Sequence, residues 1–201
     1  MALKLIPENL RAQPVFLCID DTTVPKYGKK FEYVSKLFGH SAHHGSGYLN
    51  GRCFVSVMLC VPVRDKDRIV YQALPLSYRM WQKKASRLEL AASMVRQVMP
   101  ELAEKKNVIL LCDSWYTKGD LVSVVDEYQN LGLIGNARYD SVLYDLAPQP
   151  TGKRGSSAKH GRRLSVERDF TLSGEKICGY YIGSISLLTC SSALHLKCLA
   201  L

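Results

Sequence analysis

The sequence predicts an α/β fold built on one mixed sheet, in which three antiparallel strands precede parallel strands with flanking helices. Three observations predict it: a succession of three strand-like segments, a strongly capped helical segment, and two short apolar segments separated by a second helical one. The chain has 201 residues, of which 47% are hydrophobic and 22% charged. This length and composition suit one soluble domain of ordinary size with a buried core.

The first half of the predicted sheet comes from three segments. Residues 14–20 form a short apolar run that ends in acid, which is typical of a buried strand. Residues 21–51 are rich in Gly, Lys and His and predict a long loop. Residues 51–63 and 68–75 are rich in β-formers, and the short charged link between them favours an antiparallel hairpin.

A helix is predicted next. Ser86 is followed three residues later by Glu89, which is a capping-box pattern. Apolar residues then recur at helical spacing until Pro100 ends the segment.

The remaining segments alternate between strand and helix. Residues 107–112 are continuously apolar, as in a central parallel strand. A second helix is predicted from about Thr117 to Asn130, and residues 132–135 predict a fourth core strand that continues toward Arg138. Three strands followed by two strand–helix alternations is the element order of the ribonuclease-H-like fold.

Charge and cysteine content restrict the class of protein. The net charge of +9 favours a polyanionic partner such as nucleic acid. No apolar run reaches the ~18 residues of a membrane span, and the first residues do not resemble a signal peptide. The seven cysteines are odd in number and form no C-x-x-C pair, which indicates free thiols in a reducing, cytoplasmic setting.

Carboxylates follow two of the predicted central strands. Asp20 and Asp21 end the first strand, and Asp113 follows residues 107–112. If these strands are parallel neighbours, Asp113 and one member of the doublet would lie within reach of a single Mg²⁺ or Mn²⁺ ion, because hard oxygen ligands suit these metals. The competing interpretation is that each aspartate caps a turn or a helix.

These acids lie in motifs that resemble a known family. Residues 14–183 resemble the DDE superfamily of bacterial insertion-sequence transposases. The resemblance rests on the segment IDDTTVPKYGKK, followed by an apolar hairpin and then by LLCDSWY. The resemblance implies metal-dependent DNA cleavage and strand transfer at transposon ends and target DNA. It makes Asp113 the second acid and leaves Asp20 and Asp21 open as the first. Whether the chain forms a homodimer also stays open.

The sequence departs from this family after residue 183. The family's third acid is a Glu on a downstream helix, whereas Glu167 and Glu175 lie in segments that predict strands or a turn. Residues 184–201 form an aberrant tail rich in Ser, Cys and Leu. We therefore expect a single incomplete domain over residues 1–201, with its core at 14–183, that does not catalyse strand transfer alone.

Two other functions remain as alternatives. One is a non-catalytic DNA-binding protein that retains the fold. The other is a different ribonuclease-H-like nuclease, such as an exonuclease, which would need further acids at fixed spacing. Metal dependence separates the first alternative from a transposase.

Several polar and aromatic residues can be interpreted either as functional residues or as ordinary surface and core residues. Residues 148–163 predict a mobile basic loop, either solvated or in contact with DNA phosphates. Residues 164–183 then alternate like strands, with a turn at Gly174–Glu175. The candidate DNA contacts are Lys153, Arg154, Lys159, Arg162 and Arg163. Three histidines, His40, His43 and His44, predict a solvated loop, and two tryptophans, Trp81 and Trp115, predict either base stacking or packing.

Overall fold

A computed structural model gives the structure of the chain for residues 4, 6–28, 30–38, 47–136, 142–145, 147–149, 158–177, 180–188 and 193–200. The chain divides into two compact units, Met1–Ala137 and Arg138–Leu201. The single domain expected over residues 1–201 stays a prediction. The histidines His40, His43 and His44 and the basic residues Lys153 and Arg154 lie outside the described residues.

The first unit is a mixed α/β structure, as predicted. Its strands and helices are β1 (Val15–Pro25), β2 (Ser35–Phe38), β3 (Tyr48–Asp65), β4 (Arg68–Met80), α1 (Arg87–Val98), β5 (Val108–Cys112), α2 (Gly119–Val125) and β6 (Leu131–Gly135). The strand order is β2-β3-β1-β5-β6, with β4 also paired to β3. The three predicted first strands pair antiparallel, and β5 and β6 add in parallel to β1.

The hairpin strands are longer than predicted. β1 continues through Pro25, and β3 and β4 pair from Asp65↔Arg68 to Phe54↔Met80. The loop predicted for residues 21–51 is therefore shorter, and it contains the additional strand β2. The sequence did not predict these extensions because their residues are largely polar. A part of a strand that is exposed to water shows no alternation of apolar residues. The β3–β4 register shifts between Val57 and Met58, opposite Pro75, and a proline in an edge strand with a bulge is a usual combination.

The core of the first unit lies between one face of the sheet and the two helices. Alternate residues of β1 (Val15, Leu17 and Ile19) are buried, and they pack with buried residues of β3, β5, α1 and α2 in one cluster. Burying a leucine or valine side chain in this way contributes about 1.5–3 kcal/mol. Among the described residues, no helix combines the length and apolar character required to cross a membrane.

The helix α1 begins where the sequence predicted. Ser86 Oγ accepts the backbone N–H of Glu89 at 3.0 Å, and a carboxylate oxygen of Glu89 accepts the N–H of Ser86 at 2.7 Å. The helix ends at Val98, and a single 3₁₀ turn, Met99–Leu102, carries Pro100. The capping box thus fixes the position of Arg87, the residue after Ser86, in the first turn of the helix.

The second unit contains a short helix α3 (Val166–Asp169) and an antiparallel sheet of β7 (Thr171–Ile177), β8 (Tyr180–Leu188) and β9 (Ala193–Ala200). The turn predicted at Gly174–Glu175 is wrong. These residues lie inside β7, where the register with β8 shifts between Leu172 and Lys176, and the chain reverses only after Ile177, which pairs with Tyr180. A glycine within a strand often marks such an irregularity.

The capping box generates a prediction about α1. Replacing Ser86 with Ala removes the acceptor for the Glu89 N–H, so we expect the free energy of unfolding to fall by about 1 kcal/mol. Ser86→Gly is the matched control and should cost only a few tenths of a kcal/mol. Urea denaturation measures both, and an Ala variant as stable as the parent would contradict the capping role.

Candidate metal site at the ends of two parallel strands

The pairing of β1 with β5 places two acidic positions side by side. The two strands are parallel and in register from Val15↔Val108 to Ile19↔Cys112. Asp20 and Asp113 occupy the next position of each strand path, and both are exposed. Neighbouring strands are about 4.8 Å apart. The expectation that the two strands are parallel neighbours is confirmed, whereas joint ligation of one cation by Asp20 and Asp113 stays a prediction. The expectation that Asp20 and Asp21 end the first strand is wrong, because β1 continues through Pro25 in its pairing with β3.

The two aspartates of the doublet belong to opposite faces of the sheet. Side chains alternate along a strand, and Asp21 continues the buried face of Val15, Leu17 and Ile19, whereas Asp20 belongs to the other face. The Oδ1 atom of Asp20 accepts the backbone N–H of Asp21 at 2.8 Å. The doublet therefore offers one exposed carboxylate and one that is directed toward the helices.

Asp21 is held by two partners on the helix side. Its Oδ2 atom forms an ion pair with the Arg87 guanidinium, and the Cys53 thiol donates to the same oxygen at 3.0 Å. The Asp21 side chain is 18% exposed and that of Arg87 is 28% exposed. The charge of Asp21 is thus compensated within the fold.

Arg87 also contacts two tryptophans. Its guanidinium carbon lies 4.3 Å from the ring centre of Trp115 and 6.0 Å from that of Trp81. The Lys118 ammonium lies 4.8 Å from the Trp115 ring. Both tryptophans therefore pack against cations at the edge of the site, and Trp115 reaches it from the segment that follows Asp113.

That segment is a tight turn in which Asp113 acts as a cap. Its Oδ1 atom accepts the backbone N–H groups of Trp115 at 3.0 Å and Tyr116 at 3.2 Å. Thr117 Oγ1 donates to the carbonyls of Ser114 and Asn136. Asp113 therefore caps a turn, which the sequence analysis gave as the competing interpretation of this residue. The cap uses one of the two carboxylate oxygens.

A glycine permits this turn to approach β6. A Cβ atom at Gly135 would overlap the Thr117 methyl group and would lie 3.1 Å from the carbonyl oxygen of Cys112. The end of β6 and the turn that carries Asp113 are therefore in direct contact. A side chain at residue 135 would displace Thr117, in the turn that carries Asp113.

Tyr116 is buried in the core, within the influence of the charges of Asp21 and Asp20. It is 0% exposed, and its hydroxyl has no hydrogen-bond partner among the described residues. Burial raises its pKa, and the negative charge of Asp21 raises it further, while Arg87 opposes the shift. A buried polar atom without a hydrogen-bond partner lowers the stability of a folded protein by about 1–3 kcal/mol. The Tyr116 hydroxyl is therefore a destabilising group in this core.

The thiols near the acids are neutral. Burial raises the pKa of Cys53 to about 12, and its hydrogen bond to Asp21 acts in the same direction. Burial, followed by the charge of Asp113, raises the pKa of Cys112 to about 11. Four cysteines of the described residues, Cys18, Cys53, Cys60 and Cys112, are free.

A third acidic ligand is not present in the part of the chain that the structure describes. No group of three or more His, Cys, Asp or Glu side chains suited to a metal occurs there. Glu167 lies in helix α3, where the sequence analysis had predicted a strand or turn, and Glu175 lies in β7. Asp20, Asp21 and Asp113 remain the candidate ligands of the first unit.

The described part of the basic segment is ordered by hydrogen bonds. The N–H of Asp145 donates to the carbonyl of Arg162 at 2.8 Å, and Tyr144 forms a bridge with Arg163. The Arg162 guanidinium pairs with Asp169 at 2.8 Å and lies 3.9 Å from Asp145. Its charge is therefore partly compensated, while contacts of Lys159, Arg162 and Arg163 with DNA stay predictions.

Sequence reasoning missed the partners of Asp21. Cys53 and Arg87 are 32 and 66 residues away from it in the sequence, so no local pattern connects them. One signal was present: an arginine directly after a helix N-cap is poorly placed with respect to the helix dipole and needs an acidic partner. The alternation along the first strand also indicated that Asp20 and Asp21 belong to different faces.

The Asp21–Arg87 pair can be tested by a double-mutant cycle. Arg87→Met leaves a partly buried carboxylate without its cation, so we expect the free energy of unfolding to fall by about 2 kcal/mol. Adding Asp21→Asn should recover part of that loss, because the unpaired charge is then removed. Arg96 and Glu127 form a more exposed pair and provide the control cycle, with a smaller coupling expected. Strictly additive losses for Asp21 and Arg87 would contradict the pairing.

The raised thiol pKa of Cys112 has a kinetic consequence. Only the thiolate is alkylated, so the iodoacetamide rate at Cys112 in the folded chain should keep rising with pH above 9.0, toward about 11. In the urea-unfolded chain the same rate should level off near the ordinary pKa of 9.0. Peptide-resolved mass spectrometry measures both, with circular dichroism to verify folding. Identical pH profiles would show that the surroundings of Cys112 do not suppress its thiolate.

Comparisons with known proteins give one structural likeness. No protein-family profile matches the sequence, and no curated protein matches it. Among solved structures, the chain is similar to a piggyBac transposase in a synaptic complex with hairpin DNA, with a TM-score of 0.35 and 16% sequence identity over 90% of this chain. The match covers 32% of the transposase chain, so this chain spans about a third of that neighbour's length.

Proposed function

We propose that this chain is a transposase-like, DNA-acting protein of the DDE type, with a ribonuclease-H-like sheet that holds a divalent metal where β5 ends beside the middle of β1. The observation that carries the proposal is the parallel register that ends at Ile19↔Cys112, because it places Asp20, within β1, beside Asp113, the residue that follows β5. The motifs around these aspartates, IDDTTVPK and LLCDSWY, support the same assignment.

Within the doublet, we assign the metal to Asp20. Asp21 is already neutralised by Arg87 and hydrogen-bonded by Cys53. Asp20 is exposed and adjacent in register to Asp113. Two exposed carboxylates at neighbouring strand ends repel each other, and a cation relieves that repulsion. Asp21 then has a different role: it fixes Arg87, and through Arg87 the Trp115 ring.

The donor set fits a hard cation. Carboxylate oxygens suit Mg²⁺ or Mn²⁺, and Mg²⁺ is commonly bound by one or two carboxylates together with substrate phosphates. Asp113 uses Oδ1 to cap its turn, so Oδ2 is outside these hydrogen bonds. When bound, the metal would polarise a phosphoryl oxygen and lower the pKa of a water.

The remaining residues of the site would prepare this chemistry. The Trp115 and Tyr116 N–H groups hold the Asp113 carboxylate in one orientation. The Asp21–Arg87 pair removes a second unpaired charge from beneath the site. The net charge of +9 favours approach of the DNA backbone, with transposon ends and target DNA as the substrates implied by the resemblance.

One alternative function has a specific observation in its favour. The described residues include no third acidic ligand, and Asp113 has a complete structural role as a cap. Both facts suit a non-catalytic DNA-binding protein that retains the fold. Such a protein would bind DNA without regard to divalent metal.

Titration with Mn²⁺ tests the proposal. We expect one bound ion by calorimetry, and a loss of affinity on the order of tenfold or more for Asp20→Asn and for Asp113→Asn, since even outer-shell changes at metal sites cost 10–100-fold. Asp21→Asn is the matched control, with the same change of charge one residue away, and should bind Mn²⁺ nearly as the parent does.

Other outcomes have definite meanings. If Asp21→Asn weakens binding as much as Asp20→Asn, the choice within the doublet is wrong. DNA binding without any Mn²⁺ binding would favour the non-catalytic alternative. Mg²⁺-dependent DNA cleavage by the chain, lost in Asp113→Ala, would show that the chain is active alone, contrary to expectation.

A further inference from the structure

A group of exposed aromatic rings lies beyond the site on the β1–β3 side of the sheet. Tyr27 is 90% exposed, and Phe31, Tyr33 and Tyr48 are 49%, 52% and 51% exposed. Large aromatic side chains usually bury most of their surface. Four half-exposed or fully exposed rings on connected segments indicate a surface that binds a ligand.

Cations are interleaved with these rings. The Lys36 ammonium lies 5.3 Å from the Tyr48 ring centre, and Lys26 and Arg52 lie 5.8 Å and 6.0 Å from that of Phe31. The last two distances are near the outer limit of a cation–π contact, so these cations are weakly held by the ring. Residues 26–38 contain four lysines and one acid, so the surface attracts anions.

The surface is built on paired strands. The N–H of Lys26 donates to the carbonyl of Asn50 at 2.9 Å, and Lys36 is paired with Asn50 between β2 and β3. Arg52 is opposite Val24 on β1, and its Nε atom donates to the carbonyl of Glu32 at 3.0 Å. The backbone positions of these three cations are therefore fixed next to the segments that carry the rings.

Backbone conformation adds a second indication. Tyr33 has a φ of 58°, in the left-handed region that non-glycine residues rarely occupy. Such strain persists where surrounding structure imposes it, and it clusters at ligand-binding segments. In this chain it coincides with an aromatic ring that is half exposed.

The surface begins directly after the strand that carries the proposed metal ligand. Pro25 lies five positions after Asp20 on β1, which at about 3.3 Å per residue is roughly 17 Å. This corresponds to about five nucleotide steps along a DNA strand at 3.4 Å per step. A strand that passes the metal site can therefore reach these rings.

We propose that the aromatic–basic surface formed by Tyr27, Phe31, Tyr33, Tyr48, Lys36 and Arg52 binds the unpaired bases of a single-stranded DNA segment adjacent to the reacting position. The choice of DNA as the ligand rests on the proposed function. Exposed rings stack on the faces of unpaired bases, and interleaved cations contact the phosphates. A duplex hides its base faces, so this surface prefers single strands.

Fluorescence anisotropy without divalent metal tests this inference. The probes are a labelled single-stranded oligodeoxynucleotide of about twelve nucleotides, within the usual range of site sizes, its duplex, and an oligoribonucleotide of the same sequence. We expect Phe31→Leu and Tyr48→Leu each to weaken single-strand binding about fivefold or more, with a smaller effect on the duplex. Lys36→Gln should lower the salt slope by about 0.7.

Matched controls make the test decisive. Tyr78→Leu removes another exposed tyrosine, which is 60% exposed on β4, and should leave single-strand binding unchanged. Thermal melts must show that each variant folds. Single-strand binding equal to the parent in both Phe31→Leu and Tyr48→Leu would overturn the inference, and stronger binding of the ribonucleotide would overturn the assignment to DNA.

The metal site is tested separately, by the Mn²⁺ titration. Because the anisotropy assay contains no divalent metal, its outcome does not depend on whether Asp20 and Asp113 hold an ion. Absence of Mn²⁺ binding together with ring-dependent strand binding would reject the proposed metal site and leave this surface in place.

Discussion

The parallel pairing of β1 with β5 is the constraint on which the rest of the molecule depends. β1 lies between an antiparallel neighbour, β3, and a parallel one, β5, and its alternate residues form the centre of the core. A slip of one residue would turn Val15, Leu17 and Ile19 away from the helices. The cost of exposing them fixes the register, and the register in turn fixes which acids lie side by side.

The same alternation distributes the acidic charge. Because consecutive side chains face opposite ways, the Asp20–Asp21 doublet supplies one carboxylate to each face of the sheet. On the helix side, Asp21 is compensated by Arg87 in a partly buried pair. On the other side, Asp20 is left exposed next to Asp113. Two neighbouring aspartates thus have separate tasks, one in maintaining the fold and one available for binding.

Sequence alone was sufficient for the parts of the fold that follow local rules. The capping box at Ser86, the apolar run before Asp113 and the hairpin were predicted because each depends on residues close in the chain. The small strand β2 was missed because its four residues gain their strand conformation from pairing with β3 rather than from their own composition. The ion pair between Asp21 and Arg87 could not be predicted, because it joins segments 66 residues apart.

The contact between Gly135 and Thr117 has a consequence for how this protein can change over time. A single methyl group at residue 135 would meet the Thr117 methyl group, so the Thr117 side chain, whose hydroxyl donates to the Asn136 carbonyl, would have to turn. The carbonyl oxygen and the sulfur of Cys112 would each lie 3.1 Å from the added carbon. The last residue of an outer strand, ordinarily among the most permissive places in a sheet, is thereby restricted to the smallest amino acid by two residues that lie close to Asp113 in the chain.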